Sequence, residues 1–323
     1  MLPFSIRNML RGLLGHNLML SLGLGIVLIM SLAAVCAPLL APYPPTAQHL
    51  DHILEAPSSR FWLGTDRLGR DVFSRLLYGG RVSLWVGFVA VGISISIGTM
   101  LGLISGYFRR WVDEAIMRLV DIMLVIPTLP LTIVLTNLFG KSYFMIIFIF
   151  TLFGWTGLAR VVRSQVLVLK NSNYVRAAEL AGAGRWHIMF RHILPGVSHL
   201  LIMSTALTSA GIMVAEAGLS FLGLGDPTAI SWGRMLADAQ SGGALLFGHW
   251  WWIIAPGIGI FLSVFSFMRI GLAMEEIFNP RMKRSSGLYK LFRTLNNDYI
   301  QEVFDSMEEG GPGGPGKGGA YDG

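Results

Sequence analysis

Six stretches of the chain are apolar almost without interruption: residues 18–40, 84–108, 116–138, 143–161, 197–222 and 250–274. Each is long enough to cross a bilayer core as a helix, which needs about 20 apolar residues. The pattern predicts an all-α membrane protein with six transmembrane helices. Between the fourth and fifth stretches, in the middle of the sequence, lies a long polar break, residues 172–195. It reads as two short helices around a turn. Asn173 is the expected cap of the first, and residues 176–181 are good helix formers. Gly182 and Gly184 permit a sharp bend. The second helix carries Trp186, Met189, Phe190 and Ile193 at helical spacing, with basic residues on its other faces. Pro195 is expected to stop it. A hinged helical pair with an apolar stripe suits docking into a groove on another protein.

Polar and small residues inside the apolar stretches add detail. Ser94, Gly98, Gly102 and Gly106 form a small-residue face in the second span, which lets a helix approach closely in lipid. Within the subunit it would pack two helices; a pore-lining face is the other reading. The third span opens with Asp113, Glu114, Arg118 and Asp121, with Arg118 expected to pair with the acids on either side. Pro127 and Pro130 are expected to kink this span near mid-membrane, where a kink can shape a pathway or simply serve packing. Glu216 sits inside the fifth span. An intramembrane carboxylate points to gating or substrate contact, unless it lies near the outer interface beside Gly218 and Gly223. Trp250, Trp251 and Trp252 are expected to form an aromatic belt where the sixth span enters the membrane.

Composition agrees with this picture. The chain is 53% hydrophobic and 14% charged, with mean hydropathy +0.58. A soluble domain carries about 25% charge. The net charge of +6 is distributed as the positive-inside bias requires, which argues against nucleic acid as a partner. Lys and Arg gather in the first 17 residues, at Arg109-Arg110, in the central break and after the sixth span. These parts, including both termini, are assigned to the cytoplasm. The loop at 41–81 breaks the pattern with Arg60, Arg67, Arg70, Arg75 and Arg81, offset by Asp51, Glu55, Asp66 and Asp71. It is expected to fold, with a helix over 70–77. Either it is a lip that meets a substrate-binding protein, or it lies against the helix bundle. Cys36 is the single cysteine and excludes an internal disulfide. Arg7 and Arg11 before an apolar run imitate a secretory signal, but the run is long enough to span and Pro38 follows the candidate site. An uncleaved first helix is expected.

Three motifs, in order, carry a family resemblance. They are Trp62-Leu-Gly-Thr-Asp-Arg-Leu-Gly-Arg-Asp71, then Ala177-Ala178 with Gly182 and Leu194-Pro195, then Glu216-Ala-Gly-Leu-Ser-Phe-Leu-Gly-Leu-Gly225. The middle one resembles the "EAA" loop of ABC-importer permeases, with Arg176 where the loop's namesake Glu usually sits. The whole resembles the C-type permease of the oligopeptide/dipeptide/nickel importer family, over nearly the whole chain to about Arg284. The resemblance implies a type I ABC importer permease fold and a transmembrane permease subunit that forms half of a translocation pathway. It implies a homologous second permease, two cytoplasmic ABC ATPases that bind the ATP, and an extracytoplasmic substrate-binding protein, all at the cell membrane. Arg176, Ala177, Ala178, Glu179, Gly182, Ala183, Trp186, Leu194 and Pro195 are the expected ATPase-coupling residues, with docking governed by Ala177, Ala178, Gly182 and Leu194. Glu216 and Pro127 are the pathway or gate candidates.

No sequence signature of catalysis accompanies these. A metalloprotease pattern, a nucleophile elbow and paired metal-ligand histidines are all missing, so no enzyme, cofactor or metal is expected. Gly140-Lys141-Ser142 resembles the tail of a phosphate-binding loop, but Leu135 occupies the place of its first glycine. His187 and His192 are read as facing solvent or a partner. An ATP-independent secondary transporter would need intramembrane coupling groups, for which Glu216, Glu114 and Asp121 are the candidates; a membrane scaffold without transport is the third class. The cargo is not legible. Beyond the permease domain at 18–284, residues 285–309 read as an amphipathic helix and 310–323 as a disordered Gly/Pro-rich tail.

Overall fold

The computed structural model describes residues 18–108 and 110–278. The expected cytoplasmic stub at 1–17, amphipathic helix at 285–309 and tail at 310–323 lie outside the described residues.

Among the described residues five helices are long and apolar enough to cross a membrane, and a bent pair, counted as one span, makes a sixth. In chain order they begin with α1 (Leu18–Val35), followed by the short α2 (Ala37–Leu40). A folded loop leads to α3 (Val72–Phe108). Then come α4 (Arg110–Val125) and α5 (Thr128–Phe139), the bent pair, and α6 (Tyr143–Leu169). The polar break forms α7 (Asn173–Leu180) and α8 (Arg185–Ile188), and α9 (Leu194–Phe221) is the fifth span. A further helix, α10 (Trp232–Ser241), precedes α11 (Trp250–Phe278).

The second span and the loop before it differ from expectation. Instead of a separate helix over 70–77, one helix of 37 residues runs from Val72, so the loop ends at Asp71. At 1.5 Å per residue it is about 55 Å long, more than a bilayer core. Asp71 caps it: its carboxylate accepts the Ser74 backbone N–H at 2.7 Å and the Ser74 hydroxyl at 2.6 Å. Gly79 and Gly80 do not interrupt the helix, because they admit the indole of Trp232; a Cβ on Gly80 would lie 2.9 Å from that ring.

The small-residue face of α3 packs inside the subunit, against α6. A Cβ at Gly98 or Gly102 would lie 2.7 Å from the carbonyl oxygen of Trp155 or Ala159. One at Gly106 would lie 2.6 Å from Val166 Cβ. Two helices therefore touch backbone to backbone, which makes α3 and α6 the spine of the fold.

The third span breaks rather than kinks. The axes of α4 and α5 turn by 83° at Ile126-Pro127. Pro127 adopts an extended conformation (φ −70°, ψ 112°), and proline disfavours a helical residue before it. Pro130 falls in the first turn of α5, where its missing N–H would have had no helical partner. The charges on α4 also pair otherwise than expected. Arg118 takes Glu114 alone at 2.7 Å, while Asp121 goes to Arg160 at 2.5 Å and Asp113 to Arg163 at 2.6 Å. Both arginines lie on α6, so the acids tie α4 to the spine instead of sharing one cation.

Two more expectations are corrected. Pro195 does not stop the helix of the polar break. A π turn over Met189–Ile193 joins α8 to α9, with Leu194 N–H donating to Met189 O. The widened turn absorbs the proline ring and the N–H it lacks. Nor do the three tryptophans form a belt. Trp250 is exposed, but Trp251 and Trp252 are buried, because neighbours on a helix point about 100° apart. Trp251 donates its indole N–H to Thr65 O at 3.2 Å, and Trp252 fills the space above Gly242.

Candidate functional site: a rigid elbow and a buried carboxylate knot

The elbow is built from local rules. Ser172, not Asn173, occupies the cap position of α7, and its hydroxyl is turned back onto Leu169 O at 2.6 Å. The helix ends in a pair of bonds that close a left-handed turn: Ala183 N–H to Ala178 O and Gly182 N–H to Glu179 O, each 3.0 Å. Gly182 sits at φ +80°, where L side chains are strained. Gly184 then opens α8, whose first bond runs from Ile188 N–H to Gly184 O at 3.0 Å.

One face of this elbow is anchored. Val175, Ile188, Met189 and Ile193 are fully buried among Leu103 and Tyr107 of α3 and Leu158, Val162 and Val166 of α6. Lys170 Nζ donates to Tyr107 O at 2.6 Å and lies 4.5 Å from the centre of that ring. Tyr107 Oη in turn donates to Glu179 at 3.5 Å.

The other face is bare in this chain. Arg176, Ala177, Glu179, Gly182, Trp186 and Pro195 are exposed. The expected stripe splits: Met189 and Ile193 enter the core, while Trp186, 53% exposed, stacks on Phe190 with ring centres 6.0 Å apart and lies 6.1 Å from Phe108. Ala178, Ala183 and Leu194 pack partly inward against the anchored cluster. His187 is exposed and lies against the half-buried His192, ring centres 5.6 Å apart. Leu180 is the side chain the sequence reading passed over. At the tip of α7 it is 90% exposed, and an isolated apolar residue before a glycine turn was its only signal.

The second candidate region lies at the far end of α9. Glu216 is 2% exposed. Its carboxylate accepts the hydroxyls of Ser220 at 2.8 Å and of Ser83, on α3, at 3.1 Å. Ser83 Oγ also accepts the Trp232 backbone N–H at 3.3 Å. Glu216 is thus enclosed in a knot of α3, α9 and α10. Pro127 takes no part in it and stands exposed at the α4–α5 break. Beside the knot, Asp238 of α10 collects Arg75 at 3.2 Å, Arg70 at 3.3 Å and Arg234 at 3.2 Å, and Arg70 also meets Asp66 at 2.7 Å. Arg70 and Arg75, two of the five arginines at 41–81, are thereby bound to an acid more than 160 residues away, which sequence order concealed. Gly140-Lys141-Ser142 serves as a helix start: Ser142 Oγ accepts the Met145 N–H at 3.2 Å.

An anchored elbow below a bundle with one broken span invites comparison with known transport proteins. The model of the binding-protein-dependent transport system inner membrane component matches residues 98–284. The chain belongs to that family. The model of the N-terminal transmembrane domain of oligopeptide transport permease C matches residues 13–57. The dipeptide transport system permease protein of Bacillus subtilis is 37% identical over 84% of this chain and 84% of its own length. The glutathione transport system permease protein of Pectobacterium atrosepticum is 36% identical over 86% of this chain and 91% of its own. The oligopeptide transport system permease protein of Bacillus subtilis is 35% identical over 83% and 87%. This permease is therefore a multi-pass membrane component of an ABC importer and a transport protein, not an enzyme. Its family also disfavours an ATP-independent carrier.

Proposed function

We propose that this permease imports peptides or similar small solutes, and that the elbow at 172–195 is the lever through which a separate ATPase moves it. One observation carries the lever. The inner face of the elbow is fused into the α3–α6 spine, while its outer face presents Leu180, Trp186 and Arg176 to whatever lies beneath. A rigid projection transmits displacement to the helices behind it, whereas a loose loop would absorb it. Nucleotide-driven closure of the ATPase would push α7 and α8, and through Met189 and Ile193 would tilt α3, α6 and α9.

The family supports the remaining parts of this reading. A homologous second permease completes the pathway, two ATPases sit on the cytoplasmic side holding the ATP, and a binding protein delivers cargo from outside. The distribution of Lys and Arg supports a cytoplasmic elbow and cytoplasmic termini. Peptide cargo is supported by relatives named for dipeptides, oligopeptides and glutathione.

The test is uptake by reconstituted vesicles of the assembled importer, with ATP held constant while the proton gradient is collapsed. Uptake of a labelled dipeptide should continue. Loss of uptake on collapse alone would overturn the ATP-driven lever.

A further inference from the structure

We propose a binding site for one phospholipid, phosphate on Arg81 and acyl chain in a cleft between α1, α3 and α6. The cleft has a volume of about 640 Å³ and an almost wholly apolar lining. Its walls are Ala34 and Val35 of α1, Trp85 and Phe88 of α3, and Phe144 of α6, with Trp85 and Phe144 edge to face at 6.2 Å. Arg81 is the one charged side chain in the lining among the described residues.

Of the region's arginines, Arg60, Arg67 and Arg81 make no ion pair with an acid among the described residues, and of these three Arg81 is the one that lines the cleft. Arg70 and Arg75 are held by Asp66 and Asp238, and Arg60 donates to His52 at 2.9 Å. Arg81 is exposed and lies over the Tyr78 ring at 5.7 Å, with no carboxylate in ion-pair range among the described residues. A cation on a membrane-crossing helix is costly unless it reaches an anion or the interface.

The level is that of lipid headgroups. Arg81 lines the same cleft as Tyr143 and Phe144, the first two residues of α6, so it lies near the end of the membrane-crossing bundle. From Arg81 to Phe88 the helix descends seven residues, about 10 Å at 1.5 Å each. That is roughly two-thirds of the ~15 Å half-thickness of a bilayer core. An anion at the mouth and hydrocarbon below it describe a phospholipid. The guanidinium matches a phosphodiester bidentately, where a lysine offers only a point charge. A protein segment filling the cleft would have to bring its own carboxylate to the same depth.

The experiment uses the importer assembly in nanodiscs of phosphatidylethanolamine and phosphatidylglycerol. These carry a phosphatidylglycerol probe with a diazirine in one acyl chain, or a diacylglycerol with the same chain and no phosphate. Labelling of the peptides holding Trp85, Phe88 and Phe144 should be about fivefold stronger with the phosphate-bearing probe. Arg81→Gln should reduce it to the diacylglycerol level. Val35→Trp, which fills the cleft and keeps the arginine, should abolish it and guards against a misfolded Arg81 variant. Equal labelling by the two probes would overturn the site as ordinary lipid contact. So would efficient disulfide formation, under a mild oxidant, between Phe144→Cys and a cysteine introduced into the second permease, which would make the cleft a subunit interface.

Discussion

The indole of Trp232 lies against Gly80 so closely that a Cβ on the glycine would come within 2.9 Å of it. The same ring meets the backbone at Gly79 and at Gly259 of α11, and its N–H is bonded to Leu76 O at 2.9 Å. One side chain from α10 therefore wedges between two membrane-crossing helices where their glycines make room, and the same two helices touch again through Phe88 and Phe267, ring centres 5.7 Å apart. Replacing Gly80 with leucine should lower the melting temperature of the purified permease, by strain typical of an overpacked core, about 1–3 kcal/mol. Trp232→Ala should cost more, about 3–5 kcal/mol, through the void it leaves. Intrinsic-fluorescence unfolding in detergent checks both; an unchanged midpoint in either would remove the wedge.

The spine offers a sharper contrast. At Gly102 a side chain would meet the Ala159 carbonyl and Val162, neither of which can retreat without moving a helix. At Gly92, on the same helix, a Cβ meets nothing within 4 Å. Gly102→Leu should prevent stable folding, while Gly92→Leu should leave the elution profile and melting temperature unchanged. Equal behaviour of the two would mean that α3 and α6 are not packed as described.

Asp238 serves three arginines, and its loss differs from the loss of any one of them. Asp238→Ala would leave Arg75 buried with Asp66 alone, at 3.8 Å, and should destabilise by about 3–5 kcal/mol. Arg234 is more exposed, and Arg234→Ala should cost under about 1 kcal/mol. Thermal melts of the two variants give the comparison. A larger effect at Arg234 would contradict the network.

Gly182 separates backbone strain from partner contact. Its φ of +80° is one that asparagine and aspartate both tolerate, and a side chain there meets nothing else in the chain within 4 Å. Gly182→Asn and Gly182→Asp should therefore fold and insert alike. With the elbow docked on an ATPase, the aspartate variant should lose ATPase association in pull-down. The asparagine variant should retain at least part of it. Normal association and uptake by Gly182→Asp would refute docking through this turn.

Much of this was legible before any coordinates. Long apolar runs in lipid favour helical spans, so the number of spans follows from the sequence, although the second begins at Val72 rather than 84 and the fourth runs on to Leu169. The elbow was legible because its signals are local: a run of helix formers and two glycines. The Ser94–Gly106 face was legible because a spacing of four residues is a property of one helix. What failed was most of what depends on a distant partner, together with two local readings, Asn173 as the cap and Pro195 as the stop. The stripe Trp186, Met189, Phe190 and Ile193 could not be divided into core and surface without α3 and α6 beside it. The three tryptophans looked equivalent until Thr65 and Gly242 claimed two of them.

The sequence alone determined that the chain crosses a membrane and carries a hinged polar elbow, because burial in lipid and helix punctuation act over a few neighbouring residues. Only the tertiary structure decided which charges pair and which glycines receive a ring. It also decided whether Glu216 faces a passage or is sealed by Ser83 and Ser220. Those outcomes are set by contacts between residues up to about 190 positions apart, such as Trp251 and Thr65, and no local pattern encodes them.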